Sequence, residues 1–187
     1  MMNALLLVDL QNDYFPSGRW PLDRIEAAAA NAARVLDAAR RRGDRIIHIR
    51  HEILRKPAPF FSPGTEGAAI HPALTPRVDE EVFTKHFPNA FRETGLAAVL
   101  GAPAETALTI VGAMSHFCID STTRAASDRG HPVTVIHDAC ATRGLEFDGV
   151  RVPAAHVHAA FMAALASGIA QLATTDAFVQ DCFRRAR

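Results

Sequence analysis

The segment NALLLVD, residues 3–9, decides the fold class that the sequence predicts. Its apolar side chains follow one another without the polar alternation of a half-exposed strand, so we predict a strand that is buried on both faces. Strands of this kind occur in parallel sheets whose two faces are covered by helices. The segment ends in a carboxylate, Asp9, which the pattern places at the carboxyl end of the strand.

Alternating strand and helix patterns extend outward from this segment along the rest of the chain. An Ala-rich helix is predicted over residues 23–42, and Gly43 ends it because glycine commonly follows the last helical turn. The alternation predicts an α/β fold in which a parallel sheet lies between two layers of helices, in one domain over residues 1–187. Further strands are predicted at 44–51, 80–87, 105–113, 131–139 and 168–175, and further helices at 96–100, 116–129, 153–167 and 176–185.

The composition excludes several classes of function. The 20 Lys and Arg residues balance 20 Asp and Glu residues, and like charges form no long run, so we expect neither a nucleic-acid nor a membrane partner. No apolar stretch approaches the roughly 20 residues of a membrane span, and residues 1–10 lack the pattern of a signal peptide. The three cysteines lie far apart without CxxC spacing, which favours a reducing, cytoplasmic location over a disulfide framework.

Three ionisable side chains are predicted at the carboxyl ends of strands, where open α/β sheets bind their ligands. Asp9 ends the first strand, Lys85 ends the third, and Cys118 follows the fourth across a short turn. Taken singly, each has a structural interpretation, as a turn or cap aspartate, a solvated lysine and a buried thiol. Taken together they have complementary chemistry, because a carboxylate can accept the thiol proton, while an ammonium and a helix N-terminus lower the pKa of the thiol.

Four segments of the chain resemble the isochorismatase-like cysteine hydrolases, in the order and at the spacing of that family. They are LLLVDLQNDYF (5–15), FSPGTEGAAIHP (61–72), FTKHFPNAF (83–91) and GAMSHFCIDSTTRAASDRGHPVTVIHDACAT (112–142). The resemblance covers nearly the whole chain and implies a three-layer α/β/α fold with a six-stranded, mostly parallel sheet, in a homodimer or homotetramer that acts on a small molecule. It implies Asp9 as the general base, Lys85 as its charge partner and Cys118 as the nucleophile.

The resemblance also gives a use to the residues between the fourth strand and the thiol. Relatives carry a non-proline cis peptide bond there, which in this chain would join Ala113 to Met114. The implied arrangement directs the backbone N–H groups of Met114 and Cys118 at one oxygen, as an oxyanion hole. The resulting hypothesis is acyl transfer through a Cys118 thioester, with Asp9 as base and then acid.

The metal-binding pattern of the related nicotinamidases is incomplete in this sequence. By the resemblance an Asp-x-His pair would follow the second strand, but Ile49 stands two residues before His51. His48 does not replace the missing carboxylate, because residues three apart on a strand point to opposite faces of the sheet. We therefore predict no metal and no other cofactor, and we do not expect nicotinamide to be the substrate.

The predicted function is hydrolysis of a C–N bond in a small-molecule amide, lactam or carbamoyl compound. A second hypothesis is the cleavage of a vinyl ether, as in isochorismatase, which needs an acid but no thiol nucleophile. A third is a redox-sensing or binding module in which Cys118 is oxidised, although no resolving cysteine lies close in sequence. Cys140 and Cys182 are predicted to be buried structural thiols, and Asp138 to cap or brace the end of the fifth strand.

Residues that follow the strand ends form the predicted substrate-binding set. The irregular segment 52–77, rich in Pro and Gly, is expected to line the site or a partner surface. His116 is expected to border the site. Phe15 and one of Phe60 and Phe61 have an alternative place in the core or at an oligomer contact. The predicted substrate-binding residues are Gln11, Phe15, Trp20, His51, Phe60 and Asn89, with Tyr14 and Phe61 as further candidates.

Overall fold

The computed structural model describes residues 2–185 of the chain. Met1, Ala186 and Arg187, at the ends of the predicted domain, lie outside the described residues, and the single domain over residues 1–187 stays a prediction. The strands within the described part are β1 (Met2–Val8), β2 (Arg45–His51), β3 (Glu81–Lys85), β4 (Thr106–Ala113), β5 (Val133–Ala141), β6 (Leu145–Phe147), β7 (Val150–Val152) and β8 (Gln171–Ala173).

Six of these strands form one sheet in the order β3-β2-β1-β4-β5-β8, and every neighbouring pair is parallel. The order reverses between β1 and β4, because the chain first adds β2 and β3 on one side of β1 and then β4 on the other. Ligands of open α/β sheets bind at such a reversal, outside the carboxyl ends of the strands. The six-stranded parallel sheet predicted from the sequence is confirmed.

Helices cover both faces of this sheet, which confirms the three-layer architecture. The helices are α1 (Ile25–Arg42), α2 (Leu96–Leu100), α3 (Asp120–Asp128), α4 (Ala154–Ala166) and α5 (Thr175–Arg185). α1 and α5 contribute to one hydrophobic core, and α2, α3 and α4 contribute to a second core on the opposite face. Among residues 2–185, no helix combines the length and the hydropathy that crossing a lipid bilayer requires.

The segment that predicted the fold class supplies side chains to both cores. Leu5 and Leu7 pack in the core beneath α1, whereas Ala4, Leu6 and Val8 pack in the core beneath α3 and α4. This alternation is the period-two geometry of a strand, and all five side chains are buried. Burial of each leucine contributes about 2 kcal/mol relative to an exposed position. β1 is therefore held from both faces, which fixes where Asp9 emerges.

Two elements differ from the sequence predictions. β6 and β7 form an antiparallel hairpin that was not predicted, although Asp148 and Gly149 at its tip are a strong turn signal. Both residues have positive φ, at 49° and 75°, as a tight two-residue hairpin turn requires. The helix predicted over residues 116–129 begins instead with a π-helical turn, Ser115–Ile119, and becomes α-helical at Asp120. Cys118 therefore lies in a π-helical turn and not in the first turn of an α-helix.

Close packing at the reversal of strand order depends on a glycine. Gly112, paired with Val8 in β1, has a φ of 131°, a conformation that residues with a side chain rarely adopt. A Cβ atom at this position would lie 2.0 Å from the carbonyl oxygen of Val8. Only glycine allows β4 to approach β1 this closely just before the segment that carries Cys118.

Candidate active site

Three buried side chains from separate strand ends meet at the reversal point of the sheet. Asp9 follows β1, Lys85 is the last residue of β3, and Cys118 lies in the π-helical turn after β4. The Lys85 Nζ atom lies 2.8 Å from Asp9 Oδ2 and 3.3 Å from Cys118 Sγ. Each of the three side chains is at most 1% exposed. The structure therefore brings together the three residues that the sequence singled out.

A fourth side chain, His51, belongs to the same cluster. His51 ends β2 and pairs in register with Lys85 of the edge strand β3. Its Nδ1 atom lies 2.9 Å from Lys85 Nζ, 3.7 Å from Asp9 Oδ2 and 3.8 Å from Cys118 Sγ. The sequence placed His51 among the substrate-binding residues, and the structure shows that it also contacts Lys85. Its position at the end of the strand between β1 and β3 is the sequence signal for this placement.

The backbone of Asp9 adopts a conformation that is unusual for a residue with a side chain. Its φ is 53°, in the left-handed region, which aspartate tolerates better than most residues. Its N–H donates to the carbonyl oxygen of Ile49 at 2.9 Å, which ties the end of β1 to β2. One carboxylate oxygen, Oδ2, accepts from Lys85, while Oδ1 is buried without a hydrogen-bond partner within residues 2–185. Asp9 thus keeps one oxygen free to accept a proton.

The charges in this cluster follow from burial and from the pair of Asp9 and Lys85. Burial opposes ionisation of the Asp9 carboxyl, but Lys85 and, to a smaller extent, His51 and Cys118 together outweigh it and hold the pKa of Asp9 below its ordinary value. Burial likewise opposes the charge on Lys85, but Asp9 and, to a smaller extent, Cys118 together keep the pKa of Lys85 above its ordinary value. The two side chains therefore form a buried ion pair of carboxylate and ammonium.

The electrostatics of Cys118 differ from the expectation that its neighbours lower its pKa. Burial raises the pKa of the Cys118 thiol, and the Asp9 carboxylate raises it further, while Lys85 opposes this only in part. The π-helical turn also replaces the α-helical N-terminus that was expected to favour the thiolate. The resting site therefore holds a neutral thiol beside a carboxylate, which suits removal of the proton during attack on a substrate rather than before it.

The backbone next to the thiol contains one feature that the resemblance implied, while the oxyanion hole itself stays a prediction. The peptide bond between Ala113 and Met114 is cis. The carbonyl oxygen of Met114 accepts from the N–H groups of Phe117 and Ile119, at 2.9 Å and 3.2 Å, which forms the π-helical turn. Met114 and Cys118 are both buried, so their N–H groups lie in a site that is screened from bulk solvent.

Gln11 holds the strand ends together instead of facing a ligand. Its side-chain nitrogen donates to the carbonyl oxygens of His51 and Ala68, both at 2.8 Å, and its side-chain oxygen accepts from the N–H of His51 at 2.7 Å. The side chain is fully buried, and its amide is committed to backbone groups. Gln11 was predicted to bind substrate, but the structure makes it a brace for His51 and for segment 52–77.

Asp13 anchors the same irregular segment at a second point. Its carboxylate accepts from the backbone N–H of Phe61 at 2.6 Å and from that of Arg19 at 3.1 Å. Gly67 packs directly on this carboxylate, since a Cβ atom there would lie 2.2 Å from Asp13 Oδ1. Asp13 was not predicted to have a role, although it stands between Gln11 and the aromatic residues that were proposed to bind substrate.

A small cavity of about 290 Å³ adjoins the buried cluster. Three basic side chains, His51, Arg55 and His86, line part of it. The rest of its wall consists of aromatic and apolar residues, namely Tyr14, Ile53, Pro59, Phe60, Pro88 and Phe117. His51 and Phe60 from the predicted set are therefore placed at the cavity, and segment 52–77 supplies part of its wall as expected. Arg55 and Phe117 were missed, since their contribution depends on how the segment and the turn fold over Cys118.

The other predicted substrate-binding residues lie elsewhere. Phe15 is buried, and its ring stacks on that of His71 with 3.7 Å between the ring centres. It therefore lies in the core, which was the alternative position expected for it. Phe61 is fully buried as well. Trp20 lines a separate open depression, where the Arg143 guanidinium lies 4.4 Å from the centre of the Trp20 ring. Asn89 accepts from the backbone N–H of Phe91 at 2.9 Å within a local turn.

The remaining candidates from the sequence take structural positions. The ring of His116 lies 2.6 Å from Thr142 Oγ1 and packs near Phe161, outside the cavity beside Cys118. Asp138 accepts from both the N–H and the hydroxyl of Thr175, so it braces the start of α5 from within β5. Cys140 and Cys182 are buried thiols that form no disulfide bond within residues 2–185, as predicted.

One group of side chains has the composition of a metal site. Potential ligand atoms of Asp9, His51 and Cys118 lie within 4.8 Å of one another. The Lys85 ammonium, however, lies within hydrogen-bonding distance of all three. A cation is therefore already present where a metal ion would have to bind, and like charges at this separation repel strongly in a buried site.

We predict that the Cys118 thiol stays protonated in the free protein through about pH 9, because burial and Asp9 raise its pKa above the ordinary value of about 8.5. The measurement is the ultraviolet absorbance of the thiolate during a pH titration of the wild type, from which the titration of Cys118→Ala is subtracted. The difference should show no step below about pH 9. A full thiolate step at or below about pH 8.5 would contradict the account.

The chain resembles known proteins along nearly its whole length. A family model described as the isochorismatase domain matches residues 3–177. The chain is 44% identical over 180 residues to the uncharacterised isochorismatase family protein YddQ of Bacillus subtilis, which covers 96% of this chain and 100% of that protein.

A solved structure and an enzyme of known activity are also similar to this chain. A crystal structure from Oleispira antarctica, assigned to the isochorismatase hydrolases, is 49% identical, with a TM-score of 0.91 and coverage of 96% of each chain. The maleamate amidohydrolase of Pseudomonas putida is 28% identical over 155 residues, which are 75% of this chain and 72% of that protein. Since the family model and these relatives match most of the sequence and the fold, the chain belongs to the isochorismatase family of hydrolases.

Proposed function

We propose that the protein is a cysteine hydrolase that cleaves a C–N bond in a small-molecule amide, lactam or carbamoyl compound through a thioester on Cys118. The observation that carries the proposal is the buried contact of Cys118, Asp9 and Lys85 beside a small cavity. The similarity to an enzyme named as an amidohydrolase supports the choice of a C–N bond. The cavity volume of about 290 Å³ is suited to a small molecule and not to a polypeptide.

The first half of the proposed reaction forms the thioester. Asp9 Oδ1, which has no partner among the described residues, accepts the proton of the Cys118 thiol while Sγ attacks the substrate carbonyl carbon. The N–H groups of Met114 and Cys118 donate to the oxyanion that forms, and each such donor contributes about 3 kcal/mol in the transition state. The C–N bond then breaks, and Asp9 returns the proton to the leaving amine.

The second half of the reaction regenerates the thiol. A water molecule replaces the amine, and Asp9 accepts a proton from it as the water oxygen attacks the thioester carbon. The C–S bond breaks, the acid product leaves, and the proton on Asp9 returns to Cys118 Sγ. Asp9 thus alternates between base and acid in both halves, and Lys85 keeps it ionised whenever it must act as a base.

Replacement of the nucleophile tests this proposal. Cys118→Ala should lower turnover by at least about 10³-fold, because no thioester can form. The assay measures release of ammonia or amine from a panel of small amides, lactams and carbamoyl compounds, with pyruvate release from isochorismate measured in parallel. Cys140→Ala is the matched control, since it removes a buried thiol outside the cluster. Turnover that survives in Cys118→Ala, or release of pyruvate in place of an amine, would contradict the proposal.

We also propose that the reaction proceeds without a metal ion, because the Lys85 ammonium contacts all three of the potential ligand side chains. Elemental analysis of the purified protein should then find well below one zinc, iron or manganese per chain, and dialysis against a chelator should leave turnover unchanged. A stoichiometric metal, with activity that is lost on chelation and restored by that metal, would overturn this proposal.

A further inference from the structure

The cavity beside the catalytic cluster is lined by basic side chains and by no acidic side chain of residues 2–185. Of its titratable side chains, His51, Arg55 and His86 are basic, and the fourth, Tyr14, is a phenol whose pKa burial raises well above its ordinary value. Within residues 2–185, no aspartate or glutamate lines this cavity. The rest of the wall is apolar, so no acidic side chain in it competes with a ligand for these basic groups.

The hydrogen bond between His51 and Lys85 determines which nitrogen of the imidazole carries the proton. An ammonium group can only donate, and Asp9 holds Lys85 in that form. Since Lys85 Nζ lies 2.9 Å from His51 Nδ1, that nitrogen must accept, and the proton of the neutral ring is on Nε2. His51 therefore presents an N–H donor at the edge of the ring that faces away from Lys85.

Arg55 is a cation without an internal partner. Its guanidinium makes no hydrogen bond or ion pair with any residue of the described part of the chain, and it is exposed at the cavity. Arg50, in contrast, is neutralised by an ion pair with Glu52 at 3.0 Å. Arg55 can therefore donate hydrogen bonds to a bound molecule without breaking a contact to another described residue.

The side chain of His86 does not cancel the positive charge of Arg55. Its Nδ1 atom lies 2.9 Å from the carbonyl oxygen of Glu52. A carbonyl oxygen only accepts, so Nδ1 must carry a proton. The ring is therefore neutral or positive, and neither form opposes an anion at Arg55. The carboxylate of Glu52 is already paired with Arg50.

We propose that this cavity is a subsite for an anionic oxygen of the substrate, such as a carboxylate, which Arg55 and the Nε2–H of His51 bind while the scissile carbonyl lies at Cys118. The proposal rests on the proposed function for the position of that carbonyl. It narrows the substrate class to small amides, lactams or carbamoyl compounds that carry a negative charge. Arginine is suited to this task because its planar donors match the geometry of a carboxylate.

A matched pair of alkylating agents tests the subsite without any turnover. Iodoacetate and iodoacetamide both form an S–C bond with Cys118 as iodide leaves and the thiol proton passes through Asp9 to solvent, but only iodoacetate is an anion. Mass spectrometry of the Cys118 peptide gives the two rate constants. Arg55→Gln should lower the ratio of the iodoacetate to the iodoacetamide rate constant by at least about fivefold, the effect of about 1 kcal/mol.

The matched control is Lys56→Gln, which removes the same charge from the adjacent exposed residue that does not line the cavity. This variant should leave the ratio unchanged. An equal fall in both variants, or no fall in Arg55→Gln, would overturn the proposal. So would failure of both reagents to modify Cys118 in the folded protein while they modify it after unfolding. Because the readout is alkylation, absence of hydrolysis would contradict the proposed function without affecting this result.

A separate measurement tests whether the Nε2 atom of His51 carries the proton that the proposal assigns to it. A long-range ¹H–¹⁵N spectrum of the histidine rings distinguishes the two neutral tautomers from the imidazolium, and His51→Gln identifies the signals of His51. The expected result at neutral pH is a ring that is protonated on Nε2 alone. A proton on Nδ1 would overturn the assignment of His51 as a donor to the substrate.

Discussion

The buried ion pair between Lys85 and Asp9 is the interaction on which the rest of the site depends. Taking a single charge out of water costs several kcal/mol, so neither side chain could remain ionised at this position without the other. The pair is possible because the sheet order places the ends of β1 and β3 on either side of β2, and the long lysine side chain passes His51 to reach Asp9. The same ammonium contacts the thiol of Cys118 and sets the tautomer of His51. One charge therefore organises the proposed base, the proposed nucleophile and the proposed donor to the substrate.

Much of the fold could be predicted from local patterns in the sequence. From Ala4 to Val8, β1 is apolar because both of its faces are buried there, and this feature indicated a parallel sheet with two helical layers. The convergence of Asp9, Lys85 and Cys118 followed from a topological rule, since the ends of parallel strands lie at one edge of the sheet. The hairpin of β6 and β7, in contrast, was not predicted. Its Asp148-Gly149 turn was a local signal, but short strands outside the main sheet do not change the alternation from which the fold was inferred.

The features that could not be predicted depend on contacts between distant segments. Gln11 has the side chain of a ligand-binding residue, and only the tertiary structure shows that backbone groups of His51 and Ala68 occupy its amide. The pKa of Cys118 was expected to fall, because a lysine and a helix start were considered without the cost of burial. Arg55 lies in an irregular segment that carries no periodic pattern, so neither its position at the cavity nor its lack of an internal partner could be read from the sequence.

A double-mutant cycle on the ion pair tests the central claim most directly. The free energy of unfolding in urea would be measured for the wild type, Asp9→Asn, Lys85→Met and the double variant. The account predicts that Lys85→Met alone costs about 3–5 kcal/mol, because it leaves a carboxylate buried without its partner. The double variant should then lose at least about 2 kcal/mol less than the sum of the two single losses. Single losses that add to within about 0.5 kcal/mol would show that the two charges do not depend on each other, and would contradict the account.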